Sequence, residues 1–206
     1  MTKVLAVNNT VLTILGLVVL LPLVFDKPAH ASGSKEQQSS LVRSEQIFIR
    51  GLTDQNGAPV TRNRLFGKPA VVHFGFTHCP VVCPTTLHEV GLLMQRLGAK
   101  ADQLNFVFVS VDPERDTANI LKDYIGNFDE RILGVTGTTE AVAKLAKYFG
   151  TTFSKRPAGE GYNVDHAIFA FLTNTSGKVV STLYLGTEAN RQLIGKRLND
   201  LLSGTN

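Results

Sequence analysis

The chain has 206 residues, a formal net charge of +4, two cysteines and two methionines. Lysine and arginine are scattered, with no basic stripe carrying interleaved aromatics, which excludes a nucleic-acid-binding surface. No second cysteine pair exists and Met94 is the sole methionine beyond Met1, so a methionine-rich metal site is excluded as well.

Residues 1–31 read as a secretory signal peptide or a retained N-terminal membrane anchor. Lys3 precedes an apolar run over residues 11–25, and Ala29-His30-Ala31 has the form of a signal peptidase site. The run is shorter than the roughly twenty residues that span a bilayer, and Pro22 interrupts it. On either reading the folded part is exported. Residues 32–44 form a polar linker without apolar periodicity, and residues 45–206 amount to one domain with no internal repeat.

Asp54-Gln55-Asn56-Gly57 is a hairpin signal, and short strands at residues 47–49 and around Val60 are expected to flank it as an N-terminal β-hairpin extension. Residues 70–76 form a mostly apolar run of strand length, and residues 105–111 a continuous one typical of a buried parallel strand. Leu87, Val90, Met94 and Leu97 share one helical face. Ile120, Leu121, Tyr124, Ile125 and Phe128 make the next helix, capped by Asp116 or Thr117. A strand at residues 132–136 leads to a helix at 138–149 that Gly150 stops. After a loop containing Gly and Pro, strands at 167–173 and 178–185 meet around Ser176-Gly177, and a last helix spans 188–202. The order predicts an α/β thioredoxin-like fold with a mixed sheet and helices on both faces.

Both cysteines lie in Thr77-His78-Cys79-Pro80-Val81-Val82-Cys83-Pro84, where a strand hands over to a helix. Free N–H groups and the helix dipole at such a place favour thiolate. A Cys79–Cys83 bridge closes so small a loop that it contributes only about 2 kcal/mol, which argues against a structural staple. A redox dithiol and a soft-metal site remain. Two thiolates suit Cu(I) or Zn(II) if a further ligand completes the shell.

Histidine is the residue type left for that role. His30 belongs to the cleavage site. His73, inside the central strand, reads as a hydrogen-bonded core or sheet-face histidine. His88 points around its helix away from Cys83, and His78, next to Cys79 in an extended loop, diverges from it. His166, in Tyr162-Asn163-Val164-Asp165-His166, is an ordinary strand-edge histidine by itself, but in a thioredoxin-like sheet its loop passes over the dithiol. Asp112 and Asp165, turn residues at strand ends where ligands gather in open α/β sheets, are candidates to support the ligands from behind.

The chain resembles the Sco/SenC family of copper-binding proteins that assist assembly of cytochrome c oxidase. The resemblance rests on residues 74–87, Asp112-Pro113-Glu114-Arg115-Asp116-Thr117, Leu133-Gly134-Val135-Thr136-Gly137 and Val164-Asp165-His166, in register over about residues 45–203. It implies that Cys79, Cys83 and His166 bind copper as Cu(I) or Cu(II). It also implies a metallochaperone, with thiol–disulfide oxidoreductase activity left open, at the periplasmic face of a bacterial inner membrane or free in the periplasm. The implied partner is the oxidase subunit carrying the dinuclear copper site, with a periplasmic thiol reductant or another copper chaperone beside it. The chain departs from the family pattern at Val81, often Asp, at Ala167, often Ser or Thr, and at His73, more usually aromatic or aliphatic. The rival reading is a thiol–disulfide reductase or thiol peroxidase in which Cys79 attacks and Cys83 resolves.

Overall fold

A computed structural model describes residues 49–203; the expected signal or anchor and the polar linker lie outside them. The elements in order are β1 (Leu52–Asp54), α1 (Arg62–Phe66), β2 (Ala70–Gly75), α2 (Val82–Leu97), a 3-10 segment (Gly98–Gln103), β3 (Asn105–Ser110), α3 (Ala118–Gly126) and β4 (Leu133–Gly137). They continue as α4 (Thr139–Tyr148), β5 (Ser154–Ala158), β6 (Gly161–Asp165), β7 (Ala170–Thr173), β8 (Val179–Leu183) and α5 (Glu188–Leu202).

The apolar runs at β2 and β3 make the centre of a six-stranded sheet of order β1-β4-β3-β2-β7-β8. β2, β3 and β4 are parallel, with His73 opposite Phe108 and Phe108 opposite Gly134; β1, β7 and β8 add antiparallel strands. Every residue of β2 is buried, which requires cover on both faces. On one face Phe74 meets Phe149 and Phe171, and Phe149 meets Phe66 of α1. On the other, Gly134 lies under Leu121 and Ile125 of α3, and Gly75 under Cys83 of α2. The α/β mixed sheet expected from the strand–helix alternation is therefore present.

Among the described residues, threonine side chains start four of the five α-helices: Thr61, Thr117, Thr138 and Thr187 each accept a hydrogen bond from the backbone N–H three residues on. Of the two caps expected for α3, Thr117 takes the role. α2 has no side-chain cap from its N-cap residue Val81, a difference that the dithiol explains.

Two local expectations change. The N-terminal hairpin has its turn, with Gly57 N–H donating to the Asp54 carbonyl and Asp54 Oδ1 accepting from Asn56 and Ala58. Its return arm, however, is one bridge between Thr53 and Pro59, and β1 pairs with β4. Pro59 has no N–H to extend a ladder. Ile47 and Phe48 lie outside the described residues. The expected loop before His166 is a two-stranded hairpin of its own, β5–β6.

Candidate metal centre

The β2–α2 loop is shaped by its own residues and by one buried carboxylate. Asp116, fully buried, accepts from Thr77 Oγ1 at 2.6 Å, from the Thr77 N–H at 3.0 Å and from Ser110 Oγ at 2.6 Å. That pins the chain just before Cys79, whose N–H donates to the Phe76 carbonyl at 3.2 Å. The sequence shows Asp116 only as a helix cap; its bracing of the loop comes from partners on two other elements.

Cys83 stands in the first turn of α2, fully buried on the bare backbone of Gly75. Cys79 precedes the helix, and the backbone N–H groups of Val81 and Cys83 favour its thiolate. These are orphan donors of the helix start, where a negative charge is favoured.

His166 follows β6 directly. Its Nδ1–H donates to the Ala167 carbonyl at 2.8 Å, which turns Nε2 towards Cys83 Sγ at 3.8 Å. A ligating histidine held by its other ring nitrogen is the arrangement that metal sites use. Cys79 Sγ, Cys83 Sγ and a ring nitrogen of His166 all lie within 4.8 Å of one another. Among the described residues, these are the side chains that come together as a potential metal site, and the thiols are free. Two sulfurs and one imidazole nitrogen fit a soft or borderline ion such as copper or zinc.

The hairpin that delivers His166 is braced by Asp112, which is fully buried. Tyr162 Oη–H donates to Asp112 Oδ1 at 2.8 Å, and the Arg115 guanidinium binds Asp112 Oδ2. Arg115 also lies over the Tyr162 ring, 3.9 Å from its centre, and donates to the Tyr162 carbonyl at 3.2 Å. Asp112 is therefore tied to the hairpin that leads to His166. Asp165, the other expected support, is exposed and pairs with Arg156 at 3.2 Å; it braces the hairpin's strands, not a ligand.

The two thiols differ. A hydrogen bond from Cys83 holds the Cys79 thiol well below its usual range, with His166 and two backbone N–H groups adding to the effect against burial. The same hydrogen bond, with burial, pushes Cys83 up. For His166, burial alone lowers the pKa, but the Cys79 thiolate and the Ala167 carbonyl outweigh it and raise it. The resting site is a thiolate, a thiol and an imidazole inclined to hold a proton.

The other histidines separate as expected for His78, exposed and bonded to Thr77 Oγ1 at 3.0 Å, and for His88, exposed on α2. His73 is in the core as expected, 2% exposed, but neither ring nitrogen makes a hydrogen bond. Burial, then His166 beside it, lowers its pKa to about 4. The Phe169 carbonyl favours its protonated form without meeting the geometry of a hydrogen bond.

A dithiol at a helix start, with an imidazole brought over it by a neighbouring hairpin on a thioredoxin-like sheet, defines a thiol- and metal-binding protein of the thioredoxin-like class. Comparison with known proteins narrows this. The SCO1/SenC family profile matches residues 48–202, and the chain belongs to that family. It is 38% identical over 137 residues to the mitochondrial protein SCO2 of Saccharomyces cerevisiae, a match covering 64% of this chain and 45% of that protein. The chain thus spans a little under half the length of the yeast relatives it matches. The copper-bound structure of Bradyrhizobium japonicum ScoI is 38% identical, with a TM-score of 0.68 over 73% of this chain and 96% of that one. Copper-bound yeast Sco1 is 33% identical, with a TM-score of 0.66 over 74% and 86%.

Proposed function

We propose that the protein is a copper metallochaperone that holds the ion on Cys79, Cys83 and His166 and passes it to the dinuclear copper site of a cytochrome c oxidase subunit. The observation that carries this reading is the imidazole: His166 Nε2 stands 3.8 Å from Cys83 Sγ, turned to the thiols by the bond from Nδ1–H to the Ala167 carbonyl. A dithiol that only exchanges disulfides has no use for a nitrogen donor there, whereas a three-donor copper site requires one. Membership of the SCO1/SenC family, with copper-bound structures among the similar proteins, supports the same ion.

Cys79 is the ionised donor that copper meets first. Cys83 contributes its sulfur once its proton leaves, and His166 contributes Nε2 while Nδ1–H stays on the Ala167 carbonyl. Release to a client is exchange of these thiolates for the client's cysteines, with the proton returning to Cys83; no electron is needed.

Residues 1–31 direct the domain across the bacterial inner membrane as a cleaved signal or keep it anchored on the periplasmic face, with 32–44 as the spacer and 45–206 as the copper-binding domain. Among the described residues no helix is long and apolar enough to cross a membrane.

The second reading is a thiol–disulfide reductase, favoured by one observation: an ionised Cys79 beside a protonated Cys83 is the pairing of an attacking and a resolving thiol. Anaerobic Cu(I) titration of the reduced protein against a competing chelator, run beside insulin and peroxide turnover, separates the two. One-to-one binding without turnover supports the chaperone; turnover with weak binding overturns it.

A further inference from the structure

We infer that His73 is a fourth copper donor, supplying a second imidazole nitrogen when the bound ion is Cu(II). The inference rests on the copper reading of the Cys79, Cys83 and His166 site and adds to it a residue from the sheet beneath.

His73 is a polar side chain with nothing to do in the resting fold. It is 2% exposed, and both Nδ1 and Nε2 are without a hydrogen bond. Leaving a buried polar group unpaired is unfavourable. Its neighbour Phe108 shows that a phenyl ring would suit the region: the His73 ring is 6.0 Å from that of Phe108. An imidazole kept there calls for something that uses its lone pair, and an ion is one such thing.

Its position points to which ion. β2 alternates, so His73 projects to the same face as Gly75, the face on which Cys83 Sγ lies. The ring meets that of His166 nearly edge-on, with centres 6.1 Å apart and planes at 79°. Two imidazoles bound to one ion at about 2 Å have ring centres roughly 4.5 to 6 Å apart, depending on the angle at the ion. The observed separation lies just beyond the upper end of that span, and His73 stands outside the cluster of three donor atoms. The Phe169 backbone, next to β7, favours a proton on the ring without hydrogen-bonding to it.

The chemistry divides by oxidation state. Cu(I) is soft and is satisfied by the two thiolates and His166; Cu(II) prefers four donors in a tetragonal arrangement and favours imidazole. A donor one step from the trio is then engaged by Cu(II) and idle with Cu(I). His73 thereby shifts the balance of the two oxidation states towards Cu(II).

The test counts nitrogens. Protein labelled with 15N at histidine is loaded with Cu(II), and pulsed electron paramagnetic resonance records the couplings to imidazole nitrogen in the native chain, His73→Phe and His166→Ala. Two coupled imidazoles in the native protein and one in each variant are expected. Cu(II) affinity should fall at least about tenfold in His73→Phe, while Cu(I) affinity and its two-sulfur, one-nitrogen X-ray absorption spectrum stay unchanged. One imidazole in the native protein and none in His166→Ala overturns the inference, and leaves the three-donor site standing. Absence of a thiolate-to-copper charge-transfer band in the native protein overturns the three-donor site as well. His166→Ala keeps the test decisive if His73→Phe fails to fold.

Discussion

The Cys83 sulfur occupies the space that a side chain on Gly75 would fill. A Cβ at Gly75 would stand 2.5 Å from Cys83 Sγ and 2.7 Å from Phe108 Cε2, closer than real Cβ atoms come. Gly75 is thus glycine for room and not for an unusual backbone, since it is not among the positive-φ glycines. Gly75→Ala is expected to push the sulfur off its bed, lowering Cu(I) affinity about 10–100-fold and stability by about 1–3 kcal/mol. Chelator competition and urea unfolding of the same preparation check both, and unchanged affinity would show that Cys83 tolerates displacement.

Asp116→Asn should loosen the dithiol loop. An amide offers one acceptor oxygen where the carboxylate now serves Thr77 Oγ1, the Thr77 N–H and Ser110 Oγ. A cost of about 1–3 kcal/mol is expected, together with weaker copper binding. Amide hydrogen exchange at Thr77 and Cys79 reports the loop directly; protection equal to the native protein's would remove Asp116 from this role.

Tyr162→Phe removes the hydroxyl that ties the β5–β6 hairpin to Asp112 and leaves that buried carboxylate to Arg115. His166 follows this hairpin, so the variant should lose copper affinity in the direction of His166→Ala, but by less. His166→Ala itself should weaken Cu(I) without abolishing it, because two thiolates still hold the ion, and should disrupt oxidase assembly in cells. The order native, Tyr162→Phe, His166→Ala in one titration series is the check.

Copper binding should tighten as pH rises. Cys83 is raised and therefore protonated, and His166 is raised above its ordinary 6.5, so both give up protons to the ion; Cys79, already ionised, adds no slope. Each proton released steepens the profile by about one decade of affinity per pH unit. Competition titrations at roughly pH 6, 7 and 8, corrected for the chelator, should show a slope above one at the acid end that flattens as His166 deprotonates. A flat profile would contradict the protonated Cys83.

His73 has its own pH signature in the copper-free protein. Its folded pKa, about 4, lies below the 6.5 of an unfolded histidine, so between those values the unfolded chain binds more protons and stability rises with pH. It is fully present above about 6.5 and lost progressively down to about 4, by about 3 kcal/mol at most. His73→Phe should flatten this part of the stability curve, measured by denaturant midpoints across the range.

The sequence by itself determined the elements whose physics is local or periodic. Apolar runs marked β2 and β3, polar residues before a helical pattern marked Asp116 or Thr117 as a cap, and the Cys79-to-Cys83 spacing at a strand–helix junction marked a thiolate site. β5–β6 escaped because Ser154–Ala158 is exposed throughout and only Val164 of its partner is buried, which leaves no alternation to see. Tertiary structure alone decided what Asp116, Gly75 and His73 do. Asp116 looks like a cap until Thr77 and Ser110 converge on it, Gly75 looks like a weak strand residue until Cys83 arrives on top, and His73 looks satisfied until its ring nitrogens prove unpaired. Each role is defined by atoms that another segment brings, and a pattern along the chain records only the residue, not what packs against it.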